Sequence, residues 1–179
     1  TGRGRAYGIF VSLSEFLPDE HGASRNLSGH ARLAQRVADA FIGTHIMRRE
    51  DAIVLMDEAA TLERFHEAVI RQSLAIDEED LVILFFATHG GDNQLEMRDG
   101  AMLTEAMLQG NLARLHGAQG LFIADACHSG SLANARPMVG AVPWNHLFST
   151  GETTFSYGEF LSNSLIDVLP LLGADDGRV

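Results

Sequence analysis

Leu121-Phe122-Ile123-Ala124-Asp125-Ala126-Cys127-His128-Ser129-Gly130 is the stretch whose reading decides the fold. An apolar run leads into the only cysteine of the chain and then gives way at once to small and polar residues. A second run, Leu81-Val82-Ile83-Leu84-Phe85-Phe86-Ala87, ends the same way in Thr88-His89-Gly90-Gly91. Short continuous apolar runs bounded by such residues read as strands buried on both faces. If both are parallel strands of one sheet, Cys127 and His89 emerge together at its carboxyl edge, where open α/β sheets carry their chemistry.

Outward from these two runs, strands and helices alternate. Ala6 to Leu13 reads as a first buried strand, followed by a polar loop from Ser14 to Asn26. From Ser28 the spacing turns helical, with Leu33, Val37 and Phe41, plus Ala34 and Ala38, on one face and Gly43 as the stop. Ala52 to Met56 is a short second strand. Thr61 caps a helix whose inward face is Leu62, Phe65, Val69 and Ile70. After His89 comes a glycine-bearing polar excursion ending at Gly100. Thr104 then caps a helix presenting Met107, Leu108, Leu112 and Leu115. Ser156-Tyr157-Gly158-Glu159 reads as a capping box for a last helix that buries Phe160, Leu161, Leu165 and Val168 and stops at Pro170. Between Ser131 and Thr154 a strand falls near Ala141–Val142 or His146–Phe148. The pattern predicts an α/β fold, a mostly parallel sheet with helices on both faces.

The 179 residues fit one domain, 1–179, and the start at Thr1 without methionine predicts a piece of a longer protein. A formal charge of -11 argues against a nucleic-acid backbone as partner. One cysteine cannot form an internal disulfide, and no apolar run approaches the roughly 20 residues of a bilayer span, so a cytoplasmic location with no membrane partner is expected.

A thiol attacks a carbonyl as thiolate, and a neighbouring imidazole both stabilises that form and returns the proton to the leaving group. His89 is the candidate base and Cys127 the candidate nucleophile. The amides of Gly90 and Cys127 are the candidate oxyanion donors. Taken singly, the cysteine reads as a small buried hydrophobe and the histidine as a solvated loop residue; their convergence at two strand ends reverses that reading in favour of chemistry. Zinc is the rival use of His89, Asp125, Cys127 and His128, but no second thiolate or HExxH spacing supports it, so no metal and no cofactor is expected. His30, His66, His45 and His116 read as structural, and His128 as part of the turn that positions Cys127.

At Phe85-Phe86-Ala87-Thr88-His89-Gly90 and Ile123-Ala124-Asp125-Ala126-Cys127-His128-Ser129-Gly130 the chain resembles the caspase-like cysteine peptidases, a clan of caspases, metacaspases, legumain-like and gingipain-like enzymes, separases and bacterial CHAT peptidases. The second motif is similar to the metacaspase and CHAT form. The resemblance covers about Ala6 to Leu169 and implies a caspase-like three-layer sandwich. It also implies an endopeptidase with a Cys127/His89 dyad that works through an acyl-enzyme. In caspases the position two before the cysteine is glutamine and helps bind a P1 aspartate. A carboxylate at Asp125 would instead favour a basic P1 residue. Asp19, with Glu15 and Glu20, would add negative potential to that pocket. The interval from His89 to Cys127 is 38 residues, against roughly 50 in caspases. Expected partners are a protein or peptide substrate and, for a regulated effector of cell death or bacterial defence, sensor or regulatory domains. Arg136 is a candidate self-cleavage site. A catalytically silent caspase-like binding module, and another thiol hydrolase on a similar sheet, are the alternative readings.

Overall fold

The computed structural model describes residues 4–117, 119–134, 143–156 and 159–173. Five parallel strands form the main sheet in the order β2-β1-β3-β7-β8, where β1 is Ala6–Ser12, β2 Met47–Met56, β3 Leu81–Ala87, β7 Gln119–Asp125 and β8 Trp144–Phe148. Helices α1 (Leu33–Gly43) and α4 (Phe160–Gly173) cover one face; α2 (Leu62–Ser73) and α3 (Glu105–Leu112) cover the other. The result is the caspase-like three-layer α/β sandwich.

The apolar runs are continuous because both faces are covered. Alternate side chains of each strand enter opposite cores. Val82, Leu84 and Phe86 of β3 join Phe122 and Ala124 of β7 under α2 and α3. Ile83, Phe85 and Ala87 join Ile123 under α1 and α4. Both N-cap expectations match the geometry: Thr61 Oγ1 accepts the Arg64 amide at 3.2 Å, and Thr104 Oγ1 that of Met107 at 3.4 Å. The first turn of α1 is held from the sheet, where buried Ser12 Oγ accepts the Ala34 amide at 3.1 Å.

Several elements differ from the sequence expectation. Strand β2 begins at Met47 rather than Ala52, because its first residues pair with β1 across an irregularity. From Ala6↔Met47 to Gly8↔Ala52, two steps along β1 match five along β2. The excursion after His89 contains a three-stranded antiparallel sheet of β4 (Gly90–Gly91), β5 (Gln94–Glu96) and β6 (Met102–Thr104). His30 lies in a short 3-10 turn, Ser28–His30, rather than an α-helix, and Gly43 ends the last turn of α1, ahead of a Thr44 cap.

Ile70 faces outward at 51% exposure, and buried Gln72 takes its place on the inward face of α2. In α4 the packed stripe is Leu161, Leu165, Ile166 and Leu169, while Phe160 (78% exposed) and Val168 face solvent. The helix runs through Pro170 to Gly173; a proline in the last turn removes only one intrahelical donor. The late strand is β8, which contains His146–Phe148, whereas Ala141–Val142, Arg136 and the Tyr157–Gly158 part of the capping box lie outside the described residues. Among the described residues no helix is long and apolar enough to cross a membrane.

Gln72 reaches the β1–β2 irregularity from α2. Its Nε2 donates to the Asp51 carbonyl at 2.8 Å and to that of Gly8 at 3.2 Å. Gln72→Leu keeps the volume but removes both donors, and should cost about 1–3 kcal/mol of stability, read as a lower urea midpoint with an unchanged slope.

Candidate active site

Strands β3 and β7 pair in parallel with Ala87 opposite Asp125. His89 and Cys127 are each two residues beyond that pair, so both leave the sheet at one level. They line a cavity of about 390 Å³ together with Asp125, Thr88, Ser156, Glu159 and the Gly29–His30 turn.

The imidazole is held from outside the sheet. His89 Nε2 lies 2.7 Å from the main-chain carbonyl oxygen of Arg25, and the Phe16 ring packs on it at 4.2 Å between centroids. A carbonyl only accepts, so Nε2 carries the proton of the neutral ring and Nδ1 keeps the free lone pair. The half-buried thiol has its hydrogen-bond partners in the main chain of Ser156. It accepts from the amide at 3.4 Å and lies 3.8 Å from the carbonyl. Ring and thiol therefore share the cavity without bonding each other, a looseness common in substrate-free sites.

The turn at Cys127 is clamped by residues 149–154. Ala126 donates to Ser149 Oγ at 3.1 Å, and Thr150 Oγ1 donates to the Ala126 carbonyl at 3.0 Å. The His128 amide donates to the Thr154 carbonyl at 2.9 Å, and its ring packs on Phe155. The His128 backbone has a φ of 54°. Its Nδ1 bonds the Glu152 carbonyl at 3.0 Å and sits 3.5 Å from Asp92. The first contact belongs to the clamp, and the second ties the turn to the excursion after His89, between β4 and β5.

Asp125 is 1% exposed. Its Oδ2 accepts the Ser162 amide at 2.9 Å and the Ser162 hydroxyl at 2.6 Å, in the first turn of α4. Among the described residues, its Oδ1 takes a 3.5 Å bond from Ser156 Oγ. The carboxylate thus docks a helix N-terminus, whose dipole favours negative charge, while it also lines the cavity.

Asp19 is not brought there. Its carboxylate accepts the His21 and Ala23 amides of its own exposed loop at 2.9 and 2.8 Å. Glu15 faces Arg98 at 3.8 Å, and Glu20 is exposed beside His21. Among the described residues no three His, Cys, Asp or Glu side chains are grouped to hold a metal ion.

Two cavity residues escaped the sequence reading. A Cβ on Gly29 would sit 1.5 Å from Glu159 Oε1, so a glycine at this position admits that carboxylate. His30 is 7% exposed, and burial pushes its imidazole below the usual value, reinforced by His89. Asp125, Glu159 and a hydrogen bond to the Ala87 main chain oppose that shift. A glycine–histidine pair ahead of a helix was the available signal, and it is weak without the distant partners.

The sequence profile of the peptidase C13 family matches residues 24–168. The chain belongs to the peptidase C13 family. This is a legumain/caspase-like family of cysteine peptidases. The match falls within the clan that the His89 and Cys127 motifs resemble, without singling out its metacaspase or CHAT branches. No curated protein matches the chain. The chain is similar to the crystal structure of a protein from Geobacter sulfurreducens. The identity is 22%, with a TM-score of 0.57 over 72% of this chain and 53% of that one. The chain thus spans about half the length of that relative, and the likeness bears on the fold.

Two outcomes follow from this geometry. A Cβ at Gly90 would lie 2.0 Å from the Cys127 carbonyl oxygen. Gly90→Ala should therefore push the cysteine turn away, costing about 1–3 kcal/mol in denaturant unfolding and slowing alkylation of the thiol. His30 is held neutral by the fold. Between its lowered native value and the unfolded value of about 6.5, the unfolded chain binds more protons, so stability falls as pH drops through that window. The stability of His30→Gln, measured from pH 7.5 to 5, should decline less steeply than that of the native chain.

Proposed function

We propose that this peptidase is an endopeptidase that cleaves after a basic P1 residue, with Cys127 as nucleophile and His89 as its base. The observation that carries the reading is one cavity at the carboxyl edge of the sheet. It joins the sole thiol, an imidazole with its Nε2 proton committed to a main-chain carbonyl, and two carboxylates, Asp125 and Glu159.

In this scheme His89 Nδ1 takes the thiol proton, and the thiolate sulfur bonds to the scissile carbonyl carbon. The negative charge moves to the carbonyl oxygen, where the amides of Gly90 and Cys127 receive it. As the tetrahedral species collapses, the C–N bond breaks and the imidazolium proton goes to the leaving amine. Water, deprotonated by the same nitrogen, then attacks the thioester. The C–S bond then breaks, the carboxylic acid leaves, and the imidazolium returns the proton it took from water to the thiolate, restoring the thiol and the neutral ring.

The acidic end of the cavity supports the P1 preference. A guanidinium or ammonium group there would meet the Asp125 and Glu159 carboxylates in charge-assisted hydrogen bonds, while an acidic P1 side chain would be repelled. Neutral His30 adds no opposing charge.

Cleavage of a peptide library varied at P1 tests this. The native chain should cut after Arg or Lys, and Cys127→Ala and His89→Ala should both abolish turnover. Asp125→Asn should lower kcat/KM for Arg peptides about 10- to 100-fold, with less effect on neutral P1 residues. Cleavage after aspartate or an apolar residue would keep the thiol mechanism and overturn the acidic pocket. A native chain that binds peptide without turnover, and whose Cys127 titrates like a free thiol, would be a silent binding module.

A further inference from the structure

We propose that the Arg25–Glu96 ion pair is a positioning device for the imidazole of His89. This inference rests on the reading of His89 as the base. Register places the Cα of His89, but the direction of its ring depends on what the ring bonds. That acceptor, the Arg25 carbonyl, lies in the loop between β1 and α1, which has no strand or helix of its own at that point.

The next two residues are tied to the segment that follows β1, Asn26 Oδ1 accepting the Phe16 amide at 3.0 Å and the Leu27 amide donating to the Ser14 carbonyl at 2.8 Å. Residue 25 itself is tied to the histidine segment by its own side chain. The guanidinium grips Glu96 through both nitrogens, Nη1 to Oε1 at 2.9 Å and Nη2 to Oε2 at 2.5 Å. Glu96 in turn is fastened to the segment that bears the ring. Its amide donates to the His89 carbonyl at 2.9 Å, and its carbonyl accepts Thr88 Oγ1 at 2.6 Å. The contacts close a circuit: ring to Arg25 carbonyl, Arg25 side chain to Glu96 carboxylate, and Glu96 amide back to the His89 main chain. A shift of the Arg25 carbonyl away from the ring would strain the fork.

The competing reading is a plain stabilising ion pair. Exposed pairs contribute little, but the Glu96 side chain is only 9% exposed. Buried pairs are seldom the cheapest route to stability. What a rigid bidentate fork supplies in addition is geometry, and here the geometry ends on the candidate base.

Because Cys127 is the only cysteine, its alkylation by iodoacetamide across pH reports the thiolate without requiring turnover. Long-range ¹H–¹⁵N spectra report which nitrogen of His89 carries the proton. For Glu96→Gln and Arg25→Met we expect an alkylation profile shifted toward that of His89→Ala, and loss of the single Nε2–H tautomer. We also expect kcat to fall about 10- to 100-fold with KM within about threefold, as for a misplaced catalytic group. The double variant should be no worse than either single one. Arg25→Lys keeps the charge without the fork and should fall between; it also serves if Arg25→Met fails to fold. A native profile and a native tautomer in Glu96→Gln, whatever its melting temperature, would reduce the pair to a fold contact and overturn the proposal. If instead His89→Ala itself leaves the alkylation profile unchanged, the base assignment fails, and the tautomer spectra still decide whether the pair orients the ring.

Discussion

The parallel register of β3 against β7 is the constraint on which everything else in this molecule depends. With Ala87 opposite Asp125, the two strands leave the sheet at the same level. Only then do residues two further on, His89 and Cys127, line one cavity. A slip by one residue would turn each strand's inward set to the opposite face. A slip of β3 would send Phe86 into the core built for Phe85, and a slip of β7 would send Phe122 into the core built for Ile123. Burial on both faces therefore protects the site: the packing that stabilises the sandwich is also what aligns thiol and imidazole.

Much of this was legible in the sequence because two-sided burial writes continuous apolar runs, and the residues that follow them carry the chemistry. The two helix caps were legible for a similar reason, since a threonine hydroxyl ahead of an amphipathic stretch has one local task. What escaped was decided by partners far along the chain. Strands β4 to β6 are two or three residues each and too short for any periodicity to show. The stripe of α4 is Leu161, Leu165, Ile166 and Leu169 rather than one including Phe160 and Val168, because the packed face is chosen by where α1 lies. Asp19 offered the right charge in a plausible loop, yet its carboxylate is consumed by two amides of that loop, a local competition that composition does not reveal. Glu159 and His30 became cavity residues only when α4 and the Ser28–His30 turn met over Gly29.

Asp125 ties the electrostatics of the cavity to the architecture. A carboxylate at 1% exposure would ordinarily be costly. Two donors from Ser162 and the N-terminus of α4 offset that cost. They engage Oδ2, while among the described residues Oδ1 takes a single 3.5 Å bond from Ser156 Oγ. The acidity of the cavity and the docking of α4 at the sheet edge are thus one contact seen from two sides. His30 nearby is the complement: burial lowers its imidazole's affinity for the proton, against the pull of Asp125 and Glu159.

Strands specify position and loops specify direction. Strand register sets the heights of His89 and Cys127. The orientation of the ring comes from the Arg25 carbonyl and Phe16, that of the cysteine turn from residues 149–154, and the pocket wall from Ser156 and Glu159. None of these lies on a strand of the main sheet. The sandwich can therefore persist while the chemistry changes, since the loop contacts can be replaced without disturbing either core. This division explains why likeness to a solved structure at 22% identity reaches the layers and stops there. What this chain does with its fold is decided by a few hydrogen bonds at the rim, and those must be read from its own residues.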